Sequence, residues 1–355
     1  MAPILGTQNA SIVTNGAGAT ATLRKISITP AIDLSLYDLE ILVKVERPES
    51  TFIRAVLSPN NFSNFYNVTL NDYSLGVTTR YLRAGELTTL RFGLDTRNPS
   101  GAPPSSMVMN GIQFSVYDNN VAGRVDFYAV YAVPKPNTQG IVTLSFDDLY
   151  ASTIGVALPK LASLGFPGTI YAIADRIPSV VTTEQLRTAQ TIHGWEIAAH
   201  AYTTENHGIG YANLPLETLR SELRNLRAWA VGEGWSGADH FAYPLGSHDA
   251  ATEAEVSKVF TTARTTESSP QPSIQADDPM RWRTNLLQST TSLATAQAIV
   301  DSVEATNGYA HLNFHDLVTS GATGANWTIA NFNTLMDYLA SKDIQVMTVG
   351  DVWRL

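Results

Sequence analysis

Ile141-Val-Thr-Leu-Ser-Phe-Asp-Asp148 gives the clearest indication of the architecture of this chain. Its first six residues are typical of a buried β-strand, and two adjacent aspartates follow them. Residues 153–164 carry apolar side chains at helical spacing, and 168–173 form the next apolar run. A strand, a helix and a second strand in succession indicate a parallel sheet or a β/α barrel.

The same alternation continues to the end of the chain. Residues 214–229 form the clearest amphipathic helix, because leucines recur on one face of it. A helix over 182–192 is predicted to begin at a capping threonine, Thr182 or Thr183. Further strands are predicted at 195–199, 240–243, 309–314 and 344–349, and further helices at 250–260, 293–305 and 328–341. This half of the chain is therefore predicted to be a distorted (β/α) barrel.

The front of the chain has a different pattern. Apolar residues alternate with the others from Leu39 to Val45 and from Ile112 to Val116, which gives each strand one buried and one exposed face. Turn-forming clusters at 58–64 and 97–104 separate the runs. Short strands broken by such turns predict an antiparallel β-sandwich, which we expect to be jelly-roll-like.

The two patterns predict two domains. Residues 134–140 contain two prolines and little that a core can bury, so we interpret them as a linker. The predicted domains are a β-sandwich over 1–136 and a barrel over 137–355.

The composition excludes several classes of protein. With 44% hydrophobic and 15% charged residues in 355, the chain is too apolar for a disordered protein. It has no cysteine, so disulfide scaffolds and thiolate metal sites are excluded. No apolar run approaches the roughly 20 residues of a membrane-spanning helix, so we expect no membrane insertion. The first ten residues lack the pattern of a secretion signal, so we expect production in the cytoplasm.

Charge and histidine are concentrated in the second half. Residues 140–355 hold 12 basic and 22 acidic residues, which makes nucleic acid and anionic membranes poor electrostatic partners. All seven histidines lie between His193 and His315. Acid–base or metal chemistry is therefore expected in the second half.

Polar side chains follow several of the predicted strands. Asp147 and Asp148 follow the strand at 141–146, and His200 follows the strand at 195–199, with His207 shortly after it. His315 follows the strand at 309–314. In a β/α barrel the carboxyl ends of the strands form the active face. Two imidazoles and one carboxylate are a standard ligand set for a catalytic divalent metal, and a second carboxylate and a further histidine can then transfer protons.

The motifs make the prediction more specific. The stretch 141–148 resembles the opening motif of the polysaccharide deacetylases, the NodB-homology group that is similar to carbohydrate esterase family 4. Four later stretches resemble the other motifs of that family in order: Trp195–His200, Phe241–Gly246, Asp278–Trp282 and Leu312–Asp316. The resemblance covers about 140–355 and implies a barrel of NodB type, with no counterpart for the front domain.

The resemblance implies roles for the residues nearest the reaction. Asp147 would be the general base, and Asp148 and His200 would be metal ligands. His315 would be the general acid that protonates the leaving group. The backbone N–H of Leu245 would stabilise the oxyanion.

The resemblance also implies supporting residues. Trp282 and Tyr243 would line the substrate pocket, and Asp278 would tune His315. The metal is expected to be Zn²⁺, with Co²⁺, Ni²⁺ and Mn²⁺ as alternatives.

Two positions depart from the family pattern. The family places its second histidine four residues after the first, where this chain has Thr204. We predict His207 as the replacement, with Glu205 or water as alternatives.

The second departure is Ala242, where the family often has the arginine that holds the base. Arg281 or Arg283 from the fourth motif is predicted to substitute, with Arg283 favoured.

The resemblance implies a metal-dependent deacetylase that removes N- or O-acetyl groups from a polysaccharide such as a cell-wall, capsule or chitin-like glycan. The alternative is a non-catalytic glycan-binding or structural component, such as a phage tail or surface-adhesion protein with a degenerate barrel. An amide hydrolase of small cyclic substrates is a third interpretation. The substrate class indicates an extracellular or virion-associated place of action, with the front domain holding the polymer or joining an oligomer or a surface assembly.

Overall fold

The computed structural model describes residues 9–25, 27–73, 82–104, 106–268, 273–274 and 278–355. Residues 1–8, which belong to the N-terminal segment without a secretion-signal pattern, lie outside them. Contacts between Cα atoms divide the chain into two compact units. The first comprises 1–140, 267–278 and 302–309, and the second comprises 141–266, 279–301 and 310–355. The predicted domain division after residue 136 stays a prediction.

The front of the chain consists of antiparallel sheets. A four-stranded sheet has the order β1-β11-β4-β7, and a five-stranded sheet has the order β2-β10-β5-β6-β8. The strands are β1 Ala10–Val13, β2 Thr20–Lys25, β3 Ile32–Asp33, β4 Tyr37–Val45, β5 Phe52–Ser58, β6 Phe65–Asn71, β7 Leu87–Phe92, β8 Pro99–Ser100, β9 Val108–Met109, β10 Gly111–Tyr117 and β11 Arg124–Pro134. Strands β3 and β9 form a separate short antiparallel pair. The predicted antiparallel β structure is confirmed, and the jelly-roll connection stays a prediction.

Period-two alternation explains the core of the first unit. Ile41 and Val43 of β4 are buried and face Val130 and Phe127 of β11 in register. Phe114 of the five-stranded sheet stacks on Phe127 of the four-stranded sheet, with ring centroids 4.6 Å apart. Buried side chains of both sheets therefore form one hydrophobic cluster.

The second half of the chain alternates strands and helices. The strands are β12 Gly140–Asp147, β13 Thr169–Ile173, β14 Glu196–Ala201, β15 Gly237–Ala242, β16 Thr262–Arg264, β17 Asn285–Leu286, β18 Tyr309–Phe314, β19 Leu317–Val318, β20 Trp327–Thr328 and β21 Ile344–Val346. The helices are α1 Leu158–Leu164, α2 Thr183–His193, α3 Thr204–Ile209, α4 Leu216–Gly232, α5 Ala250–Val256, α6 Leu293–Thr306, α7 Ile329–Ala340 and α8 Val349–Trp353. No helix among the described residues is long and apolar enough to cross a membrane.

The main sheet has the order β16-β15-β14-β13-β12-β18-β17, and β21 also pairs with β12. Consecutive strands from β12 to β16 pair in parallel, as do β17 and β18. The sheet is a curled half-barrel of parallel strands, which places the strand ends predicted to carry the chemistry at one edge.

Local sequence determines most element boundaries. Thr182 caps α2 in a capping box with Gln185, as predicted. Two predicted elements were too long. The helix expected to reach residue 260 ends at Val256, and the last strand ends at Val346, because Thr348 caps the unpredicted helix α8.

Candidate metal centre and active site

The site lies at the carboxyl end of the parallel sheet. Asp147 is the last residue of β12, and Asp148 follows it with a left-handed backbone, φ 67°. His200 lies near the end of β14, and His315 comes directly after β18. His207 lies on α3, a short helix after β14.

Three side chains converge on one point. The Oδ1 atom of Asp148 lies 3.3 Å from Nε2 of His200 and 3.0 Å from Nε2 of His207. The two Nε2 atoms are 3.2 Å apart. Metal–ligand bonds of about 2.0–2.2 Å place neighbouring ligand atoms roughly 3–3.5 Å apart in tetrahedral or octahedral geometry. The donor atoms therefore have the mutual spacing of a single divalent-cation site.

A backbone hydrogen bond orients His200. Its Nδ1 lies 2.8 Å from the carbonyl oxygen of Ala242, which can only accept, so Nδ1 carries the hydrogen. The lone pair of neutral His200 is then on Nε2, directed at Asp148 and His207. Metal-binding histidines are typically fixed in this way.

Charge also favours a cation at this point. Burial alone would raise the pKa of Asp148, but the adjacent imidazoles of His200 and His207 outweigh it and hold that pKa well below its ordinary value. Burial lowers the pKa of His200, and the hydrogen bond to Asp148, which forms when a proton is bound at Nε2, reverses the shift. An ionised carboxylate between two imidazoles attracts a proton or a metal ion.

Asp147 is held by two donors. Its side chain is 3% exposed, Arg264 Nη2 donates to Oδ2 at 2.5 Å, and Asn313 Nδ2 donates to Oδ1 at 2.8 Å. Burial would raise the pKa of Asp147, and the charge of Arg264 lowers it below its ordinary value. The second carboxylate is therefore ionised and has a fixed orientation.

The arginine that pairs with Asp147 is Arg264, in place of the predicted Arg283 or Arg281. Ala242 of β15 and Arg264 of β16 are partners in the parallel register, so the charge lies one strand away from the position where the family often has it. Arg281 instead donates through Nε and Nη2 to Glu253. Arg283 is buried, and its predicted role as holder of the base is taken by Arg264.

The general-acid candidate lies beside the base. Nε2 of His315 is 3.8 Å from Oδ2 of Asp147, and burial lowers the pKa of His315. Asp278, predicted to tune His315, belongs to a segment that groups with the first unit, so this pairing stays a prediction.

The remaining predicted residues lie on turns and in the core. Leu245 has a left-handed backbone, φ 58°, and its side chain is exposed. Tyr243 packs against Phe241 and His248, and both Tyr243 and Trp282 are buried. Backbone hydrogen bonds join Trp282 to the β16 region. The predicted roles of Leu245, Tyr243 and Trp282 stay predictions.

Comparison with known proteins identifies the domain. The family described as "Polysaccharide deacetylase" matches residues 135–262. This part of the chain is a polysaccharide deacetylase-like domain. The resemblance predicted from the motifs is confirmed. The matched part of this deacetylase domain contains Asp147, Asp148, His200 and His207, whereas Arg264 and His315 lie beyond it.

The chain is also similar, at low sequence identity, to several solved structures. A putative polysaccharide deacetylase from Mycobacterium smegmatis is 16% identical, with a TM-score of 0.47 over 62% of this chain and 92% of that one. The chitin deacetylase of Colletotrichum lindemuthianum is 16% identical, with a TM-score of 0.43 over 60% and 87%. A family 4 acetyl xylan esterase from Clostridium thermocellum, solved with a cobalt ion, is 17% identical, with a TM-score of 0.41 over 60% and 90%. A search of curated proteins found no match.

Proposed function

We propose that the deacetylase domain removes N- or O-acetyl groups from a polysaccharide with the help of one divalent cation. The observation that carries this proposal is the convergence of Asp148, His200 and His207 within 3.0–3.3 Å of one another, beside the separately held Asp147. A degenerate, non-catalytic barrel does not need a cluster of metal ligands or a separately held carboxylate. The presence of both therefore favours an enzyme over a non-catalytic binding protein.

Zn²⁺ suits a set of two imidazoles and one carboxylate, and Co²⁺, Ni²⁺ or Mn²⁺ are alternatives. Such an ion lowers the pKa of a bound water molecule and polarises the acetyl carbonyl. His207 completes the ligand set in this proposal, in place of Thr204 in the family spacing. Its Nε2 position beside Asp148 supports it over the exposed Glu205.

The proton transfers belong to two residues. Asp147, ionised and held by Arg264, takes a proton from the attacking water. His315 gives a proton to the leaving nitrogen or oxygen of the sugar. The 3.8 Å between the two side chains is consistent with both acting on one acetyl group.

The other roles follow from the family pattern. We propose that the backbone N–H of Leu245 donates to the oxyanion and that Tyr243 and Trp282 shape the acetyl pocket. Asp278 would tune His315. The first unit would hold the polymer or join the enzyme to an oligomer or a surface assembly, with an extracellular or virion-associated place of action.

Acetate release from acetylated glycans tests the proposal. Protein loaded with Zn²⁺ should release acetate from at least one of chitin oligomers, peptidoglycan and acetyl xylan. Asp148→Ala should lose at least about 1000-fold of that activity, because the ligand set is broken. Glu205→Gln, an exposed carboxylate on the same helix, is the matched control and should keep it. Full activity in Asp148→Ala or after complete chelation would refute the proposal.

A further inference from the structure

A column of buried polar side chains lies beneath Asp147. Ser145 is two residues before Asp147 on β12, and His311 and Asn313 are two residues apart on β18, the neighbouring strand. Side chains two residues apart on a strand share one face. Ser145, His311 and Asn313 are 0% exposed, although apolar side chains are the usual content of such positions.

Hydrogen bonds join these side chains into a chain that ends on Asp147. Nδ2 of Asn313 lies 2.8 Å from Oδ1 of Asp147 and 3.1 Å from Oγ of Ser145. Oγ of Ser145 lies 2.7 Å from Nε2 of His311.

The hydrogens of Ser145 and of the Asn313 amide can all be paired within this chain. Asn313 uses both amide hydrogens, one on Asp147 and one on Ser145. In the arrangement that also pairs the hydroxyl hydrogen of Ser145, that hydrogen is donated to Nε2 of His311, which is then a neutral acceptor. Burial lowers the pKa of His311 to about 3, in agreement with that state. Turning the amide over would place its oxygen against the carboxylate, so the orientation of Asn313 is fixed.

We infer that Asn313 is a positioning residue for the base Asp147, oriented in turn by Ser145 and His311. This inference rests on the proposed function. Arg264 holds one oxygen of the carboxylate and Asn313 the other, so the carboxylate plane cannot rotate. Asn313 supplies this second donor without adding a charge to a site that already holds Arg264.

Kinetics of Asn313→Leu test the inference. The substitution keeps the number and branching of the side-chain heavy atoms and removes the donor, so kcat on the acetylated glycan should fall about 10- to 100-fold because the base is misplaced. KM and the bound Zn²⁺ should change less than twofold. Asn285→Leu is the matched control, because Asn285 is a buried asparagine on the adjacent strand β17 whose amide lies near the His311 carbonyl. It should keep kcat.

A double substitution separates positioning from simple packing. Ser145→Ala should lower kcat less than Asn313→Leu does, and adding it to Asn313→Leu should cause no further loss, because Ser145 acts through Asn313. Unchanged kcat in Asn313→Leu, an equal loss in Asn285→Leu, or losses that multiply in the double variant would overturn the inference.

Amide spectra give a result that does not need activity. The side-chain NH₂ signals of Asn313, assigned as the pair missing in Asn313→Leu, should exchange slowly with water and shift in Ser145→Ala. Fast exchange, or no shift, would overturn the inference even if the enzyme is active. If the wild type releases no acetate, the proposed function fails, and these spectra alone decide the role of Asn313.

Discussion

At the scale of single residues, the site depends on an arginine that lies on the strand next to the one where the family often has it. Ala242 occupies the position where the family often has arginine, and its partner in the parallel register, Arg264, binds Asp147 instead. The missing arginine could be recognised in the sequence, but its replacement could not. Strand register is a property of pairing, and β16 is only three residues long.

Arg264→Leu should therefore remove most activity. The substitution leaves the Asp147 carboxylate buried without its guanidinium partner. We therefore expect kcat to fall at least about 100-fold and the free energy of unfolding to fall by about 3–5 kcal/mol. Steady-state kinetics and urea unfolding measure the two effects. Arg283→Leu should lose less kcat than Arg264→Leu, and the reverse order would contradict the assignment.

Moving the arginine from position 264 to position 242, where the family often has it, tests the same assignment more stringently. In Ala242→Arg/Arg264→Ala the new side chain enters the space that Arg264 leaves. We expect kcat to exceed that of Arg264→Ala alone. A double variant that is folded but no better than the single one would show that the position of the charge, not its presence, is decisive.

At the scale of elements, long periodic segments were predicted well and short ones were missed. Strand β12, helix α2 with its cap at Thr182 and helix α4 agree closely with their patterns. Helix α3, which presents His207, has only six residues, too few for a periodic pattern. Thr203 caps its N-terminus, because the Thr203 side chain accepts from the Asn206 N–H, and this cap is the signal that could have located the helix.

The first residue of β14 should make stability depend on pH. Burial raises the pKa of Glu196 to about 7, although hydrogen bonds from the Gly350 N–H and the Thr169 hydroxyl lower it in part. The folded protein holds this proton more tightly than the unfolded chain does. The corresponding stability is present below the ordinary pKa of 4.5 and is lost as the pH rises through about 7.

Glu196→Gln should remove that dependence. Between pH 4.5 and pH 8, the free energy of unfolding of the wild type should fall by up to about 3 kcal/mol relative to the variant. Urea unfolding at several pH values measures this difference. Parallel stability curves for the two proteins would contradict the expectation.

At the scale of the whole molecule, the sequence distinguished two kinds of architecture. Alternation with period two predicted the antiparallel sheets, and alternating strands and helices predicted the parallel sheet. It did not predict that residues 267–278 and 302–309 would group with the first unit, because that grouping depends on contacts between distant segments.

We propose that Asp148, His200 and His207 together hold one divalent cation. Calorimetric titration of chelator-treated protein with Zn²⁺ measures this binding. We expect one site in the wild type and in Glu205→Gln, and an affinity at least about 100-fold weaker in His207→Ala and in Asp148→Ala. A wild type that binds no zinc, or a site that survives both substitutions unchanged, would contradict the account.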